Sequence, residues 1–166
     1  MTLIWDDTAL KAKIKRAVKL GVARGVEAVH EEATSLILDG EKTGRVYRRR
    51  GVEHQASAPG QAPASDTGRL VQSGRTSVGT SAQLSVPAGD DLAATMVTAL
   101  RKAEVADRGG AGEQIVGTVT WSTAYAPKLE HGTENTAPRP FARPALAAKR
   151  DEIVNDIADE VRRALK

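Results

Sequence analysis

The sequence predicts an α+β fold: a long N-terminal helix and a C-terminal helix packed on a small antiparallel sheet, with a long loop or arm after the first helix. Three observations predict it. Apolar residues recur at steps of three and four from about Asp6 to Leu38. Strict alternation marks "EQIVGTVTWS" as a strand. A second helical period runs from Ala145 to the last residues. The 166 residues fit a single domain, 1–166, with a modest core. No internal repeat is visible.

Leu10, Ile14, Val18, Val22, Val26, Val29, Ala33 and Leu36 form the stripe of the first helix. Lys11, Lys15, Lys19, Glu27 and Glu31 fall largely off it. Asp6, Asp7 and Thr8 are candidate N-terminal caps, and Gly40 is the expected stop. Gly21 and Gly25 each weaken the helix by about 1 kcal/mol relative to Ala, which points to close packing or a bend.

From Asp39 to Ser65 the periodic pattern disappears. "DGEKTGRVYRRRGVEHQASAPGQAPAS" reads as an extended loop or arm, 39–65. A connection this long is functional or disordered. Either it is a solvated linker, or it orders against a partner. It carries the one concentrated charge, Arg45, Arg48, Arg49 and Arg50, with Tyr47 inside it. Three uses fit that cluster: phosphate contact with ring stacking on nucleic acid, docking on an acidic protein surface, or plain solvated charge.

"TGRLVQSG" predicts a helical turn or two. "RTSVGTSAQLSVPAG" and "LAATMVTALRKAEV" hold strand-like segments around a turn at Pro87–Asp91, and "DRGGAGE", Asp107 to Glu113, reads as the hairpin loop before the best strand. In that strand Ile115, Gly117, Val119 and Trp121 share one face, and Val116, Thr118 and Thr120 the other. A short helix in "TAYAPKLEHGT" ends at Gly132, which can take positive φ. Tyr125 and Leu129, four apart, are expected to pin it to the sheet. The final helix holds Ala145, Leu146, Ile153, Val154, Ile157, Val161, Ala164 and Leu165. Pro144 stands in its first turn, where a missing N–H costs nothing.

Composition narrows the chemistry. Cysteine is absent, so disulfides and thiolate metal sites are excluded, which fits a reducing compartment or a particle assembled in one. No apolar run approaches the roughly 18 residues of a membrane span, and no signal peptide precedes the first helix. The net charge of +3 does not by itself imply nucleic acid.

Asp66-Thr67-Gly68 matches the tripeptide of aspartic proteases, but "QAPAS" ahead of it is not a buried apolar strand, and Arg69 follows at once. The plainer reading is that Asp66 or Thr67 caps the turn "GRLVQS". "HEEAT" starts like a zinc-protease helix, yet Thr34 stands where the second His belongs, leaving His30 as a helix-surface residue. His54 and His131 have no partner ligands nearby in sequence. "GDD", Gly89 to Asp91, is a turn, and "RGGAGE" lacks the residues of a phosphate loop. No catalytic residue, cofactor or metal ligand is expected.

Three segments in order, "APGQAPASDTGRLVQSG", "WSTAYAPKLEHGT" and "PRPFARPAL" ahead of a terminal helix, resemble the tail-completion or head-to-tail joining neck proteins of long-tailed bacteriophages, related to the minor tail protein Z of lambdoid phages. Tyr125, Ala126, Glu130, Gly132, Thr133, Arg139, Pro140, Phe141, Arg143, Pro144 and Ala145 match its pattern. The resemblance covers most of Asp66 to Lys166. The segment "LAATMVTALRKAEVADRGGAGE" departs from it.

The resemblance implies a non-enzymatic ring subunit, six-fold, in the virion neck between head and tail, assembled in the host cytoplasm. Its partners would be sister copies, neighbouring neck and tail proteins, and DNA in the channel by non-specific contact, with no membrane. Asp66, Thr67, Gly68 and Arg69 would be structural, as would Tyr125, Glu130 and Gly132. The assembly candidates are Arg45, Tyr47, Arg48, Arg49, Arg50, Arg139, Phe141 and Arg143. Phe141, the only Phe, goes to the core or to an intersubunit pocket, and its burial contributes about 1.5–3 kcal/mol. Arg139 and Arg143 would splay toward acidic partners. A small basic nucleic-acid-binding protein using Arg45–Arg50 is the alternative.

Overall fold

Valine and alanine at helical spacing build the first helix, and those residues decide where it is buried. A computed structural model describes residues 8–80 and 114–166. In it helix α1 spans Thr8–Leu38. Val18, Val22, Val26, Val29 and Ala33 of the expected stripe are buried, and Ala17 and Ile37 join them. Leu10 is 40% exposed, and no residue from Thr8 to Arg16 is buried. In these leading turns only Ile14 reaches the core, half-buried against Val18, Val22 and Ile115. Asp6 and Asp7 lie outside the described residues.

At the other end the amides of Asp39 and Gly40 both donate to the Ser35 carbonyl, at 2.7 and 3.2 Å. The Lys42 ammonium donates to the Leu36 carbonyl at 2.9 Å, satisfying an acceptor that the helix end leaves open. Burial pushes the Lys42 pKa down, and the charge of Asp39 opposes that shift.

Helix α4, Ala142–Ala164, lies antiparallel along α1. The two glycines of α1 allow the approach. A Cβ on Gly21 would stand 2.6 Å from the Ile157 Cα, and one on Gly25 would stand 2.9 Å from the Ile153 Cγ2. These glycines mark close packing. Glu160, nearly buried on α4, accepts from Arg24 of α1 and, at 2.7 Å, from Arg163. The second helix thus rests chiefly on α1.

Strands β3 (Gly74–Thr80) and β4 (Ile115–Trp121) pair antiparallel, from Gly74↔Trp121 to Thr80↔Ile115. Both pack on α1. Ile115, Gly117, Val119 and Trp121 are buried, as alternation predicts. The Thr76 hydroxyl donates to Glu27 at 2.6 Å, tying β3 to α1. The expected strand-like stretch beyond Thr80, the turn at Pro87–Asp91 and the loop Asp107–Glu113 lie outside the described residues.

The main core gathers Val26, Val29, Ile37, Val119 and Ala145 around Trp121 and Phe141. The two aromatic rings meet edge to face, centroids 5.0 Å apart and planes at 89°, the arrangement their quadrupoles favour. His30 is not a free surface residue. Its ring lies 6.1 Å from that of Trp121, and its Nε2 atom is buried.

The segment 39–65 corrects the expectation of a structureless arm. It contains a hairpin, β1 (Val46–Arg49) and β2 (Val52–Gln55), paired from Val46↔Gln55 to Arg49↔Val52. The two-residue turn is Arg50-Gly51, with φ of 51° and 83°, the sign that matches strand twist. The rest of the segment is fastened to the body. Gly60 N–H donates to the Pro138 carbonyl at 2.9 Å, and Pro63 is buried. Gln61 Oε1 accepts from the amides of Thr43 and Ala58, both at 2.9 Å. The class is α+β, with two small two-stranded antiparallel sheets among the described residues.

Candidate functional site

Two neighbouring constructions hold nearly all the singled-out residues. The first is built on Glu130. It sits near the end of helix α3, Ala126–His131, and is 0% exposed. Its Oε2 accepts the amides of Phe141 and Ala142, at 2.7 and 3.1 Å. Its Oε1 accepts the Arg143 amide at 2.9 Å and the Arg143 Nε at 3.2 Å.

These amides are the otherwise unpaired donors at the start of α4. One buried carboxylate therefore caps a helix eleven residues later in sequence, at the end where the helix dipole favours negative charge. The Arg143 guanidinium also donates to the Glu130 carbonyl at 3.1 Å. Gly132, with φ of 77°, turns the chain between the two. A side chain there would meet the Thr136 carbonyl at 2.7 Å.

Two expectations change here, and an open alternative, core or pocket for Phe141, resolves to the core. Arg143 is not splayed free: Glu130 holds its Nε, although the side chain stays 60% exposed. Phe141 is 0% exposed against Trp121, so it anchors the core and leaves no pocket for a neighbour. Tyr125 does not pin α3. It is 41% exposed, while Ala126 is fully buried in its place, because the buried face of α3 runs through Ala126 and Glu130. Arg139 is also tied inward in part: its amide donates to Leu129 at 2.6 Å and its Nε to the Ser57 carbonyl at 3.3 Å.

The second construction is a cleft of about 420 Å³ between the hairpin and the body. Ile37, Leu70 and Leu129 give it an apolar floor. Tyr47 and Tyr125 stand at its sides, and the segment Pro63–Arg69 lines another wall. Asp66 closes the hairpin onto that wall. Its carboxylate pairs with Arg49, and its other oxygen lies 3.6 Å from His54 Nε2.

His54 stacks on Tyr47, the residue directly across the ladder, with centroids 5.6 Å apart. Strand alternation puts Tyr47, Arg49, Val52 and His54 on one face, and Val46, Arg48, Glu53 and Gln55 on the other. The expected Asp66 or Thr67 cap is not made. Helix α2, Arg69–Gln72, starts from Gly68 at φ 70° with no side-chain cap, because Asp66 is drawn to the hairpin.

The basic cluster is therefore divided. Arg49 is spent on Asp66, and Arg48 Nε donates to the Gly51 carbonyl at 3.3 Å. Arg45 and Arg50 are exposed. The side chain of Arg69, also exposed, forms no ion pair or hydrogen bond among the described residues and borders the cleft. Sequence reading missed the clasp partner His54 and the reach of Glu130. The hairpin had a signal: two short runs, "VYRR" and "VEHQ", separated by two residues ending in Gly.

Among the described residues no cluster of three or more His, Asp or Glu is placed to hold a metal ion, and no helix is long and apolar enough to cross a membrane. Neither a scan against protein-family models nor searches of curated proteins and of solved structures found a match.

Proposed function

We propose that this chain is a structural subunit of a bacteriophage neck, a ring component that joins head to tail by complementary binding and without catalysis. The observation that carries the reading is convergence. The first of the three segments on which the resemblance rests is far in sequence from the other two, yet Asp66–Arg69, Tyr125 with Leu129, and Arg139 meet around one cleft. The last two are locked together by the Glu130 carboxylate. Residue types that recur in a family for assembly are expected to form one rigid unit of this kind.

Asp66 supports a structural role as well. Its oxygens face Arg49 and His54, so the Asp-Thr-Gly tripeptide serves as a fastener in this reading. The test is a phage lacking this protein. Electron microscopy should find filled heads and separate tails; joined, infectious particles would remove the proposal.

DNA contact is a second reading, favoured by one observation: Arg45, Arg48 and Arg50 lie exposed on the outer part of the hairpin. It predicts salt-sensitive DNA binding by the purified chain, lost when these arginines become Ala. No measurable binding at low ionic strength would remove it.

A further inference from the structure

We propose that the cleft between the hairpin and the body receives residues 1–7 of a second copy of this chain, Met-Thr-Leu-Ile-Trp-Asp-Asp. The inference rests on the ring reading above and names the contact that would close it. Three observations carry it.

The first is chemistry. The cleft joins an apolar floor at Leu129 to two tyrosines and two cations, Arg69 and Arg139. Neither Tyr47 nor Tyr125 has a hydrogen-bond partner for its hydroxyl among the described residues, and Arg69 has no anion there. Asp66, the acid of the cleft, is already matched by Arg49 and His54. What fits is an extended segment with apolar residues, an aromatic ring and adjacent carboxylates. "LIWDD", Leu3 to Asp7, has that composition. The wall from Ala62 to Thr67 makes no backbone hydrogen bond among the described residues, so its amides and carbonyls can pair with an added strand.

The second is distance. The cleft touches Ile37, and α1 begins at Thr8. A helix rising 1.5 Å per residue separates those two positions by about 44 Å. Seven extended residues reach roughly 25 Å at most. A chain cannot place its own first residues in its own cleft, so the occupant is another copy.

The third is presentation. From Thr8 to Arg16 only Ile14 reaches the core, half-buried against Val18, Val22 and Ile115, and Thr8 stands at the far end of α1 from the cleft. A donor at one end of α1 and an acceptor at the other make a head-to-tail contact, the kind that closes into a ring by rotation.

The chain has no cysteine, which makes the test direct. Full chains carrying Trp5→Cys are mixed with full chains carrying Thr67→Cys, and disulfide-linked pairs are mapped by mass spectrometry. The proposal expects a 5–67 bond between copies. Arg69→Glu with Arg139→Glu in the acceptor should lower its yield about tenfold or more, the size of a lost charge-assisted contact. Asp6→Lys with Asp7→Lys in the donor should restore it.

The proposal is overturned if Trp5→Cys links to Thr67→Cys no more than to an exposed control, Val154→Cys. It is equally overturned if the yield ignores the charge reversals, or if a chain carrying both cysteines closes on itself. Occupation of the cleft by 81–113 of the same chain, or by a different protein, would give the first of these results. A ring that assembles without the 5–67 bond sinks this contact and spares the neck reading. A 5–67 bond in a chain that phage particles can do without does the reverse.

Discussion

The Glu130 unit and the hairpin clasp are both carboxylates that hold distant backbone in place, yet they are built to opposite specifications. Glu130 is sealed. Its oxygens accept three amides and an arginine, and nothing of it reaches water. Asp66 keeps 24% of its side chain exposed, and its partner Arg49 keeps 54%. Charge pairs in water are screened and contribute little, whereas a buried carboxylate deprived of its partners, or the partners deprived of it, is costly. The first construction fixes where α4 starts. The second only latches a two-stranded hairpin, too small to be stable alone, over a cleft that stays open. The difference separates what must not move from what a partner can reach.

The comparison breaks most visibly at Glu130. Glu130→Ala leaves the buried amides of Phe141 and Ala142, and the amide and guanidinium of the more exposed Arg143, without their acceptor. We expect a loss of about 3–5 kcal/mol in stability, measured by denaturant unfolding. Glu130→Gln keeps the shape and some acceptors but loses the charge, and should cost less. A loss below about 1 kcal/mol for Ala, the range of surface changes, would mean that water replaces the carboxylate and that the unit is not sealed.

A second test concerns the other rigid element, the α1–α4 contact. Gly21→Ala should gain about 1 kcal/mol from helix propensity. The new methyl, however, would stand 2.6 Å from the Ile157 Cα, and backbone cannot retreat without parting the helices. Overpacking of this kind costs roughly 1–3 kcal/mol, so we expect net destabilisation. Gly25→Ala meets side-chain atoms of the buried Ile153, the nearest at 2.9 Å; a β-branched side chain gives little, but no backbone is struck, and the change should cost somewhat less. Equal effects at both positions would show that the helices slide apart easily.

These same elements show what the sequence made legible. The stripe of α1, the faces of β4 and positive φ at Gly132 followed from periodicity and from the needs of a helix end. The hairpin was hidden because four arginines masked the alternation of Val46, Tyr47 and Val52, and because its turn uses Arg50 where Asn or Gly is usual. The roles of Glu130 and Asp66 were hidden for another reason. Each acts on residues more than ten positions away, through contacts that exist only once α1 and the sheet have brought the segments together. Leu10 looked like core because period alone does not tell where a core ends. Tyr125 lost its expected place to Ala126 because residues one position apart on a helix point about 100° apart, and the face that turned inward was that of Ala126 and Glu130.

The clasp gives a smaller effect. Asp66→Asn removes the charge that holds Arg49 and His54. Exposure limits the loss to about 1 kcal/mol or less, so global unfolding should barely change. Amide exchange in β1 and β2 should quicken while that in α4 stays as it was. Equal changes in both regions would erase the contrast between latch and anchor.

The smallest effect has the opposite sign. Arg50 is the one non-glycine residue with positive φ among the described residues, and its left-handed backbone costs roughly 1–2 kcal/mol relative to glycine-like freedom. Arg50→Gly removes that cost but adds chain entropy to the unfolded state, about 0.5–1 kcal/mol. The net should be a hairpin more stable by up to about 1 kcal/mol, seen as slower exchange of the β1–β2 ladder amides. The variant also deletes an exposed charge from the hairpin tip. If slower exchange comes with weaker DNA retention or poorer particle assembly, then Arg50 is kept for its cation, at the expense of its turn. If exchange slows and neither function changes, the tip charge is solvated surface, and the partner-facing chemistry of the hairpin lies on the cleft side with Tyr47 and His54.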